Sequence, residues 1–136
     1  MVYKMTMKVL VTGDRNWDDV ETVMSTLKRF PPGTILIHGA CRGADVTCAV
    51  VGEALGFTVR GYPADWDRYP RAAGPIRNSL MLTLEHLPDE PFDVCLAFHN
   101  DISSSRGTKD MKGKAERAGI PTELITSQTC PRSSAD

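Results

Sequence analysis

Short apolar runs and one-sided apolar stretches alternate along the chain. Residues 8–12, Lys8-Val9-Leu10-Val11-Thr12, form a continuous run of the kind expected for a strand covered on both faces. Beyond Gly13, Asn16 is placed to cap a helix, with Asp19 three residues on. Val20, Val23, Met24 and Leu27 then recur at helical spacing, which predicts one apolar face before Pro31-Pro32-Gly33 ends the helix. Residues 34–38 predict a second strand. Residues 44–55 predict a small, apolar helix, with Gly56 at its left-handed C′ position. Residues 57–62 predict a third strand.

Residues 63–74 read as an irregular loop, after which Pro75 opens a helix at its first position. The apolar line of that helix is Ile76, Leu80, Leu84 and Leu87. A proline turn at 88–91 precedes a fourth strand at 92–98. A serine-rich stretch leads to a helix from Gly107-Thr108 to about Ala118, closed by Gly119. Residues 120–125 predict a fifth strand, at a sheet edge because Pro121 lacks a ladder donor. Residues 1–126 are thus expected to form one domain, and 127–136 a disordered polar tail.

Five strands alternating with four helices predict an α/β class, three-layer, Rossmann-like fold. Right-handed crossovers make the sheet mostly parallel, with helices on both faces. In such sheets ligands bind outside the carboxyl ends of the strands. The segments that follow the strands are therefore the informative ones.

Composition changes this picture little. Of 136 residues, 41% are apolar and 24% charged, as in ordinary globular domains. The 16 Lys plus Arg against 17 Asp plus Glu leave a net charge of −1, which argues against a nucleic-acid coat. No apolar run approaches the ~18 residues of a membrane span. Residues 1–7 carry a single lysine and no long apolar core, so no leader is expected there. Cys41, Cys48, Cys95 and Cys130 lack CxxC spacing, and free thiols in a cytoplasmic protein are the expectation. His38, Cys41 and Cys48 fit no common zinc spacing, so neither a metal nor a cofactor is called for.

Glycine and charge gather after the strands: Gly13-Asp14-Arg15, then His38-Gly39-Ala40-Cys41-Arg42-Gly43-Ala44-Asp45, then Asp65 to Arg71, then Arg106-Gly107-Thr108-Lys109-Asp110. Glycines let backbone N–H groups approach oxyanions, helix N-termini add positive dipole ends, and Arg15, Arg42 and Arg106 can add bidentate contacts. The pattern points to a phosphate-type anion site, although neither GxxxxGK[ST] nor GxGxxG occurs. Asp45 and Asp110 sit in first helical turns, where they either complement the dipole or serve a ligand as carboxylates. Arg77 and Asn78 lie early in a helix, where a cation opposes the dipole and calls for an anionic partner, either a ligand or Asp65. Trp66 and Tyr69 either stack on a base, cover the sheet edge or form a contact between subunits of a homo-oligomer. His38 reads as a hydrogen-bonded structural residue, and His99 as better placed for acid–base work.

Together with Pro63-Ala64-Asp65-Trp66 and Ala73-Gly74-Pro75-Ile76-Arg77-Asn78, these segments resemble the SLOG superfamily, in its YspA/cpYpsA-related branch of bacterial and phage proteins. The resemblance covers about residues 8–125. It implies a Rossmann-like fold that binds a nucleotide or nucleotide-derived ligand, such as a nucleoside phosphate or an ADP-ribose-like molecule. Distant relatives of LOG type hydrolyse the N-glycosidic bond of nucleoside 5′-monophosphates. DprA-like and Thoeris-type relatives bind DNA or signalling nucleotides. Here His99-Asn100 and a serine-rich insertion replace the first glycines of the LOG-type PGGxGT turn. Asp110 matches one of the two acidic positions that follow it, and Met111 fills the other.

The sequence-level expectation is a nucleotide site at the carboxyl edge of the sheet. Gly13, Asp14, Arg15, Gly39, Arg42, Gly43, Asp65, Arg77, Asn78, Arg106, Gly107 and Thr108 are its ligand-binding candidates. Asp110, Asp45 and His99 are the catalytic candidates, should the protein hydrolyse an N-glycosidic bond. The alternatives are a non-catalytic nucleotide sensor or sponge, and a DNA-binding accessory protein.

Overall fold

The computed structural model describes residues 6–127. The strands are β1 (Lys8–Gly13), β2 (Ile35–His38), β3 (Thr58–Gly61), β4 (Val94–Phe98) and β5 (Thr122–Ile125). The helices are α1 (Val20–Leu27), α2 (Ala44–Ala54), α3 (Ala73–Glu85) and α4 (Gly107–Arg117), with one 3₁₀ turn at Ile102–Ser104. The strands pair in the order β3-β2-β1-β4-β5, and every pairing is parallel. This is the predicted Rossmann-like α/β sheet, with β5 at an edge as Pro121 required.

Strand alternation sends side chains to two cores. Val9, Val11, Leu36, Leu96 and Phe98 pack against the α1–α2 layer, which supplies Val23, Leu27, Ala44, Cys48 and Val51. Leu10, Ile37 and Cys95 face the α3–α4 layer, with Met81, Met111 and Ala115. Burial pushes the Cys48 thiol well above its ordinary value and that of Cys95 up to about 12, as inert core thiols require.

Two helices depart from their sequence readings. The α1 cap is Asp19 rather than Asn16; its Oδ1 accepts the Thr22 N–H at 3.1 Å. Asn16 belongs instead to a turn closed by Asp14, whose Oδ1 accepts the Asn16 N–H at 2.9 Å. Val20 and Met24 face solvent, and α1 buries Thr22, Val23, Thr26 and Leu27. The buried threonines are tolerable because both hydroxyls have partners: Thr22 on Asp19, Thr26 on the Thr22 carbonyl at 2.7 Å.

The second departure is larger. Helix α3 begins at Ala73, so Pro75 is its third residue, still within the first turn where an N–H has no helical acceptor. The whole predicted apolar line, Ile76, Leu80, Leu84 and Leu87, is exposed. The sheet-facing side carries Ala73, Gly74, Arg77, Asn78, Met81 and Glu85. Glu85 is turned inward by Lys8, which is fully buried at the start of β1. Lys8 Nζ lies 2.9 Å from Glu85 Oε1 and 2.8 Å from Glu90 Oε1, and donates to the Glu85 carbonyl at 2.6 Å. Arg60 reaches the same carboxylate at 3.0 Å, and the Tyr62 hydroxyl donates to it. A buried lysine in a strand demands partners, and helical phase follows from that demand.

Ser127, assigned to the tail on sequence, donates its N–H to Asn100 Oδ1 at 2.7 Å and its hydroxyl to Asp19 Oδ2 at 2.6 Å. The remainder of that predicted tail, 128–136, lies outside the described residues, as does Cys130.

The Lys8–Glu85 cluster yields a stability prediction. Burial opposes the Glu85 charge, but Tyr62, Lys8 and Arg60 together hold its carboxyl below the usual range. A depressed carboxyl contributes stability that is present above its unfolded value and lost as pH falls through the folded one. Glu85→Gln leaves the buried Lys8 with the half-exposed Glu90 as its remaining carboxylate and should cost about 3 kcal/mol near neutrality. The deficit should shrink on acidification, since wild type then loses the same charge. Denaturant melts across pH check this; a deficit constant with pH would contradict it.

Candidate functional site

The chain reverses direction across the sheet at β1: crossovers run outward through β2 to β3, then return to β4 and β5. Loops leaving β1 and β4 therefore part, and a crevice opens between them. A cleft of about 1020 Å³ lies there. Its walls come from the loops after β1, β2 and β4, the 66–71 loop and the first turns of α3.

Local chemistry sets each wall. Gly13 pairs with Phe98 across β1 and β4, where a Cβ would lie 2.5 Å from Ala44 Cβ and 2.7 Å from the Phe98 carbonyl oxygen. The Asp14 carbonyl then accepts N–H groups from both Trp17 and Ala44 at 3.1 Å, tying the first loop to the start of α2. Gly43 permits that contact: its φ is +79°, and a Cβ would sit 2.4 Å from the Arg15 carbonyl carbon.

Asp45 lies on the cleft wall and is 4% exposed. Its Oδ2 accepts the N–H groups of Gly39 at 2.9 Å and Cys41 at 3.3 Å, folding the β2–α2 loop over the helix start. Its Oδ1 is buried without a hydrogen-bond partner among the described residues. Burial pushes the carboxyl up to about 6, against the opposing pull of those two N–H groups and the Arg77 guanidinium. An orphaned buried oxygen costs about 1–3 kcal/mol and is the mark of a missing donor.

Arg77 and Asn78 also line the cleft, but as its frame. Arg77 is 8% exposed; its guanidinium donates to the Gly39 carbonyl and to Asn78 Oδ1 at 2.8 Å. It does not meet Asp65, which accepts the Arg68 N–H at 3.2 Å within its own turn. The expected conflict with the helix dipole disappears because α3 starts two residues earlier than Pro75, which places Arg77 beyond the first turn. Asn78 Nδ2 donates to Asp110 Oδ2 at 3.0 Å, and Lys114 Nζ approaches the same oxygen at 2.8 Å.

His99 is buried on the cleft wall. Its Nδ1 accepts the Asp101 N–H at 2.9 Å, which leaves Nε2 as the donor of the neutral ring. His38 is structural: its Nδ1 accepts the Ala40 N–H at 2.9 Å, and burial, then the Arg77 charge, hold its pKa below the ordinary value. At the start of α4, Ser105 Oγ accepts the N–H groups of Thr108 at 3.0 Å and Lys109 at 3.4 Å. The predicted phosphate seat at Gly107-Thr108 is thus already half capped by a serine. At Gly107 itself a Cβ would meet nothing within 4 Å, so that side of the turn opens into space.

Among the sequence candidates, Gly13, Asp14, Arg15, Gly39, Asp45, Arg77, Asn78, His99, Arg106, Gly107 and Thr108 converge on the cleft. Arg42, Gly43, Asp65 and Asp110 do not line it. Arg42 leans out to Asn16 Oδ1 at 3.3 Å, Gly43 is consumed by backbone packing, Asp65 by its turn, and Asp110 by Asn78 and Lys114. Asp110, expected on sequence as a catalytic carboxylate, thus stands off the cleft, at the α3–α4 contact. Trp66 lines the cleft and Tyr69 does not. Arg71, Cys41, Ser104 and Ser105 were missing from the candidates. Their signal was only membership of a post-strand loop, and no periodicity indicates which way a loop side chain turns. Exposed Arg15, Arg71 and Arg106 form no ion pair among the described residues, so the rim of the cleft is cationic. Among these residues no group of three or more His, Cys, Asp or Glu could hold a metal ion.

Asp45 generates a second prediction. A carboxyl raised in the folded state contributes stability below its unfolded value and loses it as pH rises through about 6. Asp45→Asn, which does not titrate, should therefore gain about 2 kcal/mol on wild type between acid and neutral pH. Paired thermal melts at pH ~5 and ~7 measure this. A difference that ignores pH would mean that Asp45 titrates as an ordinary carboxyl.

Comparisons with known proteins agree with this architecture. The model of the YspA, cpYpsA-related SLOG family matches residues 7–69. The Gene 61 protein of Mycobacterium phage D29 is 35% identical over 123 residues, which span 84% of this chain and 92% of that protein. The X-ray structure of DNA processing protein A (DprA) from Streptococcus pneumoniae superposes with a TM-score of 0.64 at 16% identity, over 96% of this chain and 54% of that one. At that identity the likeness concerns the fold alone, and this chain spans about half of the DprA chain. With a curated relative matched over nearly its whole length, and motif-bearing loops gathered around one cleft at the switch point of the sheet, the chain belongs to the YspA, cpYpsA-related SLOG family.

Proposed function

We propose that the switch-point cleft binds a nucleotide-derived small molecule, with its phosphates toward the Arg15, Arg71 and Arg106 rim and its sugar toward Asp45. The observation that carries this reading is the unpartnered, buried Oδ1 of Asp45 on the wall of an arginine-rimmed cleft. Three unpaired guanidiniums favour an anion. An orphaned carboxylate oxygen favours a neutral donor, such as a ribose hydroxyl, beside it. The cleft volume, about 1020 Å³, suits a ligand of nucleotide size. Trp66, half exposed on the same wall, offers a stacking face for a base.

Hydrolysis of an N-glycosidic bond is the second reading, favoured by the Asp45 carboxyl that titrates near 6. Asp45, rather than Asp110, is then the carboxylate beside the sugar, and His99 Nε2 a hydrogen-bond donor on the same cleft wall. A DNA-binding role draws less support, because these arginines rim a concave cleft in a chain of net charge −1.

Calorimetric titration with AMP and with ADP-ribose tests the binding reading. Arg106→Ala removes a charge-assisted contact worth about 1.5–3 kcal/mol, so affinity should fall roughly tenfold to a hundredfold. Gly107→Val should block binding with the melting temperature unchanged, since its side chain enters open space. Unaltered affinity in both variants would sink the proposed site. Chromatography for free base after incubation separates a hydrolase from a sensor or sponge.

A further inference from the structure

Two buried side chains on the cleft wall each keep one polar atom without a partner among the described residues. Asp45 is 4% exposed, and nothing donates to its Oδ1. His99 is 7% exposed; its Nδ1 is taken by the Asp101 N–H, and Nε2 has no acceptor. One atom accepts and the other donates. The close approach at Gly13 brings the two residues to the same part of the cleft. A Cβ there would lie 2.5 Å from Ala44 Cβ and 2.7 Å from the Phe98 carbonyl oxygen, and Asp45 and His99 directly follow those two residues in the chain. Arg15, Arg71 and Arg106 are exposed at the rim instead. Polar recognition is thus layered, with an acceptor and a donor inside and cations outside.

We infer that Asp45 and His99 together read the 2′,3′-diol of a ribose, so that the cleft selects ribonucleotides over their deoxy counterparts. The inference rests on the reading of the cleft as a nucleotide site and adds which edge of the sugar enters first. A vicinal diol supplies what the pair lacks: one hydroxyl donates to Asp45 Oδ1, and the oxygen of its neighbour accepts from His99 Nε2–H. A phosphate fits this position worse, since it offers acceptor oxygens and its charge opposes the carboxylate. Covalent geometry agrees with the layering. In a 5′-nucleotide the base on C1′ and the phosphate arm on C4′ leave the furanose away from the diol edge. With that edge turned inward, the phosphate points out to the guanidiniums and the base to Trp66, which is half exposed beside Gly74. Both recognising atoms are fixed before a ligand arrives. The Gly39 and Cys41 N–H groups hold Asp45 through Oδ2 at 2.9 and 3.3 Å, and the Asp101 N–H holds the imidazole at 2.9 Å. Buried groups fixed for a hydroxyl reject the analogue that lacks it, because they are left unpaired again.

Calorimetric titration of the unaltered protein with AMP, 2′-deoxy-AMP, 3′-deoxy-AMP and IMP tests this near neutral pH. Each deoxy analogue should bind roughly tenfold to a hundredfold more weakly than AMP. IMP inverts the donor and acceptor pattern of the purine edge and keeps the ribose, so it should stay within a few-fold of AMP. His99→Ala should weaken AMP and erase the penalty on one deoxy analogue, because the hydroxyl it served has lost its partner. His99→Gln, which keeps an N–H near the Nε2 position, should restore part of that penalty. Asp45→Asn, whose carbonyl stays on the Gly39 and Cys41 N–H groups, should reduce the penalty on the other analogue. Affinity for either deoxy analogue equal to that for AMP would overturn the inference and leave the nucleotide reading standing. A collapse with IMP that spares the deoxy analogues would put the base edge on Asp45 and His99 and overturn it likewise. Failure of AMP to bind would overturn the inference, and failure of ADP-ribose as well would overturn the reading beneath it. Should a variant fail to fold, the ligand series on the unaltered protein still decides.

Discussion

The site depends on one close approach. At Gly13 the end of β1, the start of α2 and the end of β4 meet with no room for a Cβ. The Asp14 N–H donates to the Phe98 carbonyl at 2.9 Å, while the Asp14 carbonyl receives Ala44. Three loops distant in sequence are thereby held at fixed separation, and the cleft is the space left between them. A substitution that forced these backbones apart would widen the cleft and unseat Asp45, Arg15 and His99 together.

The second organising feature is polar burial on the inner side of α3. Lys8 enters the sheet as a charge that must be neutralised, and Glu85 is the group that reaches it. Arg77, two turns earlier on the same side, supports the Gly39 carbonyl and so shapes the Asp45 loop. One helix thus braces the base of the sheet at one end and the cleft wall at the other. Because its polar side is committed inward, its leucines are turned outward, and the apolar stripe is a consequence of the same ion pair.

Much of this was legible in the chain. Short, largely apolar stretches between turn residues located all five strands, and glycine-rich, charged loops after them marked the edge where the cleft lies. Asp45 and His99 were recognisable by their position after strands. Side-chain direction was not legible. The spacing of Ile76, Leu80 and Leu84 is a sound helical signal, but periodicity identifies a face without saying what that face meets. Asp110 and Arg42 matched a motif position and a loop position; Asn78 and Asn16, brought in from elsewhere in the chain, are partners that spacing could not show.

The sequence alone determined the alternation of strands and helices, hence a parallel sheet with its ligand edge, and the residue types available there. These follow from local physics: side-chain periodicity, backbone freedom at glycine and the missing donor of proline. Tertiary structure decided which of those residues share a cleft, which carboxylate is left with an unpartnered oxygen, and which side of α3 is buried. Those outcomes turn on long-range pairing, Lys8 with Glu85 across 77 positions and Gly13 with Phe98 across 85, and on the desolvation that makes each unpaired buried charge costly.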